Sequence, residues 1–158
     1  MTADRFAAHV GVRLVEVRPG YARATLRLRP RHLNGVGIAQ GGAIFTLADL
    51  AFAAASNSHG TVAVALDVGI TFARAVTTGT LTAEAHEVSV SRKVSVCEVR
   101  VSDGSVGVVA LFHGTAYRLG DPTHSNRAAA GSAQAIPARR TRPTAHAAAA
   151  RRRRRFSR

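Results

Sequence analysis

The run from Ala43 to Ala55 constrains this chain more than any other stretch. Its side chains are apolar nearly all the way round, the pattern of a helix covered on every face. One residue in it carries a charge, Asp49, and an ionised carboxylate costs several kcal/mol to bury unless something pairs with it or uses it. Gln40-Gly41-Gly42 opens the run, and the two glycines leave no side chain between solvent and the first free backbone N–H groups. A lone acid behind a glycine-opened helix N-terminus is a candidate reaction centre. A helix this apolar also needs a sheet curled around it.

The flanking segments supply that sheet. Ala3 to His9 suits a short helix, and Val12 to Arg18 alternates weakly up to a Pro19-Gly20 turn. Beyond the turn, Ala22, Ala24, Leu26 and Leu28 share one parity while Arg23, Thr25, Arg27 and Arg29 share the other, a half-buried strand completing a hairpin. Pro30 to Ala39 is a glycine-punctuated loop into the central helix, which is expected to end near Asn57-Ser58-His59-Gly60 with Gly60 as a left-handed cap. Val62, Val64, Leu66, Val68, Ile70 and Phe72 then share one parity of a long strand. Strands over 80–90, 94–101 and 106–117 follow, with turns at Ser91-Arg92-Lys93 and Asp103-Gly104. Short turns mean antiparallel neighbours, so the fold class is α+β, one sheet of about six strands with one central helix.

Charge divides the 158 residues in two. Residues 1–120 hold 12 Lys+Arg against 8 Asp+Glu, whereas 121–158 hold 10 against 1. Most of the +13 therefore belongs to a low-complexity Ala/Arg/Pro tail of disordered composition, and residues 1–120 form the expected domain. The tail is the one candidate for phosphate-backbone binding; it has no aromatic interleaving beyond Phe156 and no recognition module. A single cysteine, Cys97, excludes an intrachain disulfide and a cysteine-rich metal site, and its alternating surroundings read as a buried strand. Asp4 and the absence of a long apolar core argue against a secretory signal, and no apolar run of ~18–20 residues is present to span a bilayer. The expectation is a cytoplasmic protein with no membrane partner and no metal site.

Gly41 and Asp49 are eight residues apart, about 12 Å along one helix axis at 1.5 Å per residue. Reacting groups must lie about 3–3.5 Å from a common centre. If both act on one substrate, they come from different chains, so the site hypothesis predicts a dimer with shared sites. In that arrangement a Gly41 or Gly42 N–H at the positive helix end would donate to a carbonyl oxygen as negative charge develops on it. Asp49 would deprotonate water or attack the carbonyl directly, and Asn34 would orient water or carbonyl. This is acyl hydrolysis. A thioester suits it better than an amide, because a leaving thiol needs little protonation.

His32 to Arg118 resembles the hotdog-fold acyl-CoA thioesterases, specifically the PaaI-like branch associated with phenylacetate degradation. Asn34-Gly35, Gln40-Gly41-Gly42 with the following residues to Asp49, and Asn57-Ser58-His59-Gly60 carry the resemblance. So do Asp67 to Arg74, Gly79 to Ala83 and Val109 to Ala116. The resemblance implies a curved antiparallel sheet around one helix, and dimers pairing into tetramers with active sites between subunits. It matches Asp49 to the catalytic carboxylate, Gly41 to the amide that polarises the carbonyl, and Asn34 to an active-site amide. The coenzyme A is part of the substrate, so no separate cofactor is implied. Gln40 stands where the family commonly has His, and it can donate a hydrogen bond but cannot act as a cation or acid. Ala65 stands about where some relatives carry a hydroxyl. Arg92 and Lys93 resemble a basic hairpin position suited to coenzyme A phosphates, and Gly42 and His59 complete the candidate binding set.

The implied activity is hydrolysis of a (hydroxy)phenylacetyl-CoA or similar aryl or short acyl-CoA. The main alternative is a hotdog module that binds acyl-CoA without hydrolysing it, with Gln40 marking lost chemistry. A hotdog dehydratase is disfavoured because no histidine of this sequence is placed to abstract a proton beside the helix, and a tail-driven nucleic-acid binder ranks last.

Overall fold

The computed structural model describes residues 4–122; the expected tail lies, from residue 123 onward, outside the described residues. In chain order the elements are α1 (Arg5–Val10), β1 (Arg13–Arg18), β2 (Tyr21–Arg27), a 3-10 turn (Pro30–His32), α2 (Gly41–Ser56), β3 (Thr61–Phe72), β4 (Thr80–Val90), β5 (Val94–Asp103) and β6 (Gly107–Pro122). The six strands form one antiparallel sheet in the order β1-β2-β4-β5-β6-β3. No helix among the described residues is long and apolar enough to cross a membrane.

The alternation read in β2 becomes the core. Ala22, Ala24 and Leu26 turn inward beside Leu81, Ala83 and Ala85 of β4, and all six are buried under α2. Leu47, Ala48, Ala51, Phe52 and Ala55 of α2 fill the concave side. Small residues dominate where helix and sheet come closest. At Gly114 of β6 a methyl group would sit 2.8 Å from the Phe52 ring, so the glycine makes room for the aromatic. Cys97 is buried in β5 as the alternation implies, and burial pushes its thiol up to about 11.

Three expectations change. First, α2 is not covered on every face. Gly42, Phe45, Thr46, Asp49 and Ala53, spaced three and four apart, remain partly open in the single chain. Second, β3 does not keep one parity, because its register on β6 shifts between Ala65 and Asp67. Ala65 pairs with the buried Ala116, but beyond the shift Val68, Ile70 and Phe72 take the inward side opposite Gly114, Phe112 and Ala110. Val64 and Leu66 are left 47% and 62% exposed on a twelve-residue edge strand. Third, α2 stops at Ser56 with Asn57 as its cap, and Gly60, at φ +77°, turns the chain into β3 instead. The Asn57 amide donates to the Ala53 carbonyl at 2.9 Å and exchanges hydrogen bonds with the backbone of Ala63, which ends the helix by imitating a strand.

Candidate active site

The N-terminus of α2 is built by its own preceding loop. Gln40 is the N-cap, and its Oε1 accepts the Ala43 N–H at 3.2 Å. The Gln40 carbonyl takes the Ala43 and Ile44 N–H groups at 3.0 and 3.3 Å. The N–H groups of Gly41 and Gly42 meet no acceptor among the described residues. Both glycines also have a packing reason. A methyl on Gly41 would lie 3.1 Å from the Phe72 ring, and one on Gly42 would lie 2.7 Å from the capping Gln40 oxygen.

His32, for which the sequence suggests no role, organises this region. It is buried, its Nδ1 accepts the Arg29 N–H at 3.1 Å, and its Nε2 lies 2.8 Å from the Val10 carbonyl. Those contacts put the ring proton on Nε2, where it is donated to Val10. Arg31 Nε, 3.2 Å from that same nitrogen, is then a contact and not a hydrogen bond. The His32 carbonyl accepts the Gln40 N–H at 2.8 Å, so His32 ties α1 and the loop through its ring, and the start of α2 through its backbone. A sequence signal existed only in retrospect: a histidine two residues after a proline, in a loop with no carboxylate.

Two grooves flank the helix start. The smaller, about 380 Å³, brings Asn34 and Gly41 together with Ile44, Phe72 and Arg74. Asn34 Oδ1 is occupied by the Val36 and Ile38 N–H groups at 3.0 and 3.3 Å, which leaves its Nδ2 hydrogens as the side chain's offer. The larger, about 650 Å³, runs between α1 and α2 along Phe6, Val10, Leu33, Gln40, Gly42 and Phe45. Asp49 lines neither. It lies further along the open stripe of α2, and burial, then the neighbouring Asp4 carboxylate, raises its pKa above the ordinary value.

The remaining candidates sit elsewhere on the single chain. His59 packs its Nε2 2.5 Å from Glu87 Oε2, and the Ser58 hydroxyl accepts the Gly20 N–H at 2.8 Å. The Asn57–Gly60 turn thereby ties the end of α2 to the β1–β2 hairpin and β4. Arg92 and Lys93 occupy the exposed β4–β5 turn, with the Lys93 ammonium 5.3 Å from the centre of the Tyr117 ring. Neither lines a groove with Gly41.

Comparison with known proteins adds a family match, two relatives and two solved structures. Residues 36–110 match the model of the thioesterase superfamily. A putative esterase of Archaeoglobus fulgidus is 40% identical over 119 residues, 75% of this chain and 77% of that protein. The acyl-coenzyme A thioesterase PaaI of Escherichia coli is 36% identical over 118 residues, 74% of this chain and 84% of its own length. The solved structure of E. coli PaaI, from the phenylacetic acid degradation operon, superposes with a TM-score of 0.72 at 34% identity, covering 75% of this chain and 87% of that one. A Streptococcus mutans protein solved with acetyl CoA bound gives a TM-score of 0.67 at 28% identity, over 70% of this chain and 90% of that one.

Proposed function

Since the chain belongs to the PaaI-like hotdog branch of the thioesterase superfamily and is a thioester hydrolase, we propose that it hydrolyses (hydroxy)phenylacetyl-CoA or a similar aryl-acyl-CoA at sites shared between two subunits. The observation that carries this reading is the start of α2. Two adjacent N–H groups without acceptors among the described residues stand at the positive end of a sixteen-residue helix, beside a groove that also holds Asn34. The thioester oxygen accepts the Gly41 N–H. Asp49 of the second subunit takes a proton from water as the water oxygen bonds to the carbonyl carbon, or attacks that carbon itself. When water attacks, collapse of the tetrahedral intermediate expels the coenzyme A thiolate and leaves the free acid. When Asp49 attacks, collapse expels the thiolate and leaves an acyl–Asp49 anhydride, which water then cleaves to the free acid and the Asp49 carboxylate. No further cofactor is needed. The raised pKa of Asp49 strengthens it as a base.

Dimerisation is supported by two exposed features. The β3 edge offers a long row of unpaired backbone groups with Val64 and Leu66 uncovered, a feature soluble proteins rarely leave open. The open stripe of α2 carries Asp49. Pairing two β3 edges about a twofold axis would continue the sheet and set the two central helices beneath it. Pairing of such dimers into a tetramer, and a cytoplasmic setting compatible with one free buried thiol, complete the reading. The apolar groove of Phe6, Leu33 and Phe45 suits an aryl acyl group, and the groove past Arg74 suits the pantetheine arm. Arg92, Lys93 and His59 would meet coenzyme A only from across a subunit boundary. The segment 123–158 is an extension beyond β6, and its removal should leave turnover unchanged.

Nothing about Gln40 favours a binding-only module. As the cap it commits its oxygen to Ala43 and keeps its Nε2 hydrogens for a ligand. The test is coenzyme A release from a panel of acyl-CoAs, followed with a thiol-detecting reagent. Turnover strongest on aryl-acyl substrates is expected. Tight binding of the panel without release would establish the alternative.

A further inference from the structure

The convex side of the sheet carries a second feature, which meets the groove beside the start of α2 at Arg31 and His32. A groove of about 580 Å³ is lined by Arg13, Arg27, Arg29 and Arg31, with the hydroxyls of Thr25 and Thr80 among its walls. Strand register assembles it. Arg13 pairs with Thr25 and Arg27 with Thr80, and their parity is opposite to that of the buried Ala24 and Leu26, so they share the face turned away from α2. Arg29 and Arg31 enter from the loop. The Arg31 guanidinium lies 3.3 Å from where a methyl on Gly11 would be, and Gly11 sits at φ +94° as the cap of α1.

All four arginines are solvent-exposed and none has a carboxylate partner among the described residues. Neighbouring carboxylates are engaged elsewhere. Glu16 bridges Arg18 and Arg23 at 3.3 Å each, and Asp103 receives Ser105. Residues 123–158 contain ten arginines and no Asp or Glu, so no side chain there can neutralise the groove. Like charges lining one groove repel one another, since screening at physiological salt acts over about 8 Å, and a multivalent anion relieves that repulsion. Guanidinium forks match phosphate oxygens in bidentate pairs, and threonine hydroxyls add neutral donors.

We propose that this groove binds a diphosphate or polyphosphate group. A single phosphate would balance only about half of its charge; two linked phosphates balance it and fill more of its length. Two sources share that chemistry: the phosphates of coenzyme A and a free nucleoside polyphosphate. The inference concerns binding alone and stands whether or not the hydrolysis proposed above is correct.

The experiment is calorimetric titration of the full-length protein with inorganic pyrophosphate at moderate salt. Saturable binding is expected, and Arg27→Gln/Arg29→Gln should weaken it about tenfold or more. Arg100→Gln, an exposed arginine of β5 outside the groove, should leave it unchanged. A melting temperature equal to that of the parent shows that the variant is folded, and Arg13→Gln/Arg27→Gln is an independent second disruption. If coenzyme A displaces pyrophosphate, and the double variant raises KM for acyl-CoA without lowering kcat, the groove holds the substrate's phosphates. If coenzyme A does not compete and KM is unchanged, the ligand is a free polyphosphate. Absence of saturable binding overturns the proposal. So does binding that both double variants retain in full, since it would then belong to the arginine-rich segment.

Discussion

Replacing Gly41 by proline removes one N–H and little else. Gly41 is the first residue of α2, where proline is well tolerated, and its N–H meets no acceptor among the described residues. Proline restricts the residue before it to extended conformations, and Gln40 already has φ −68° and ψ 132°. The one conflict is with Phe72, 3.1 Å from the new Cβ, and that ring is 51% exposed and free to give by a few tenths of an ångström. Gly41→Ala introduces the same Cβ and keeps the N–H, so it isolates the steric effect. If the N–H stabilises developing oxyanion charge, Gly41→Pro should lower kcat by about 10²–10³, or about 2.7–4 kcal/mol of transition-state stabilisation. Gly41→Ala should stay within about tenfold of the parent, and both should melt close to it. The assay is coenzyme A release at saturating aryl-acyl-CoA, with circular-dichroism melts as the folding control. Equal kcat values for the proline and alanine variants would refute the role given to this amide.

Three further outcomes are expected. Asp49→Asn should lower kcat by about 10²–10⁴. Its stability effect follows from the raised pKa: the folded chain holds the Asp49 proton more tightly than the unfolded chain. Stability contributed by Asp49 therefore falls as pH rises from the unfolded carboxylate range through the folded value, and the penalty is full above the folded value. The asparagine variant should melt higher than the parent at neutral pH and lose that advantage below about pH 4 in parallel melts. Gln40→Ser should separate two functions of the cap. Serine still caps Ala43 and keeps stability within about 1 kcal/mol, so any loss of turnover reports the amide Nε2 alone. Gly114→Ala drives a methyl into Phe52, which is 2% exposed, and should destabilise by about 1–3 kcal/mol, read as a lowered melting temperature.

Much of the architecture was legible because it rests on local periodicity. The alternation of Ala22 to Leu28, the Pro19-Gly20 turn and the apolar run behind Gly41-Gly42 each report one element, and together they require a sheet around a helix. What escaped reading depends on contacts between distant segments. The register shift between Ala65 and Asp67 carries no residue signature, so the long apolar parity of β3 read as one face. Gln40 is outside the usual N-cap set, and its capping role shows only once Ala43 is seen to donate to it. The Phe72 ring against Gly41 joins residues far apart in sequence, and the arginine groove joins β1 to β2 and the loop beyond it. Asp49 was legible as an oddity, a charge in an apolar helix. Its place on a stripe the single chain leaves open was not, because composition cannot tell a face covered by a sheet from one the fold leaves uncovered.

The central claim is that one site draws Gly41 from one subunit and Asp49 from another, and mixed dimers test it most directly. Gly41→Pro and Asp49→Asn chains, each nearly inactive alone, are unfolded, mixed in equal amounts and refolded. Random twofold pairing makes about half of the dimers mixed, each with one intact site and one doubly damaged site, so about a quarter of parental turnover should return. If activity stays at the average of the two parent variants while tagged chains show that mixed dimers have formed, the site lies within one chain and the account is wrong.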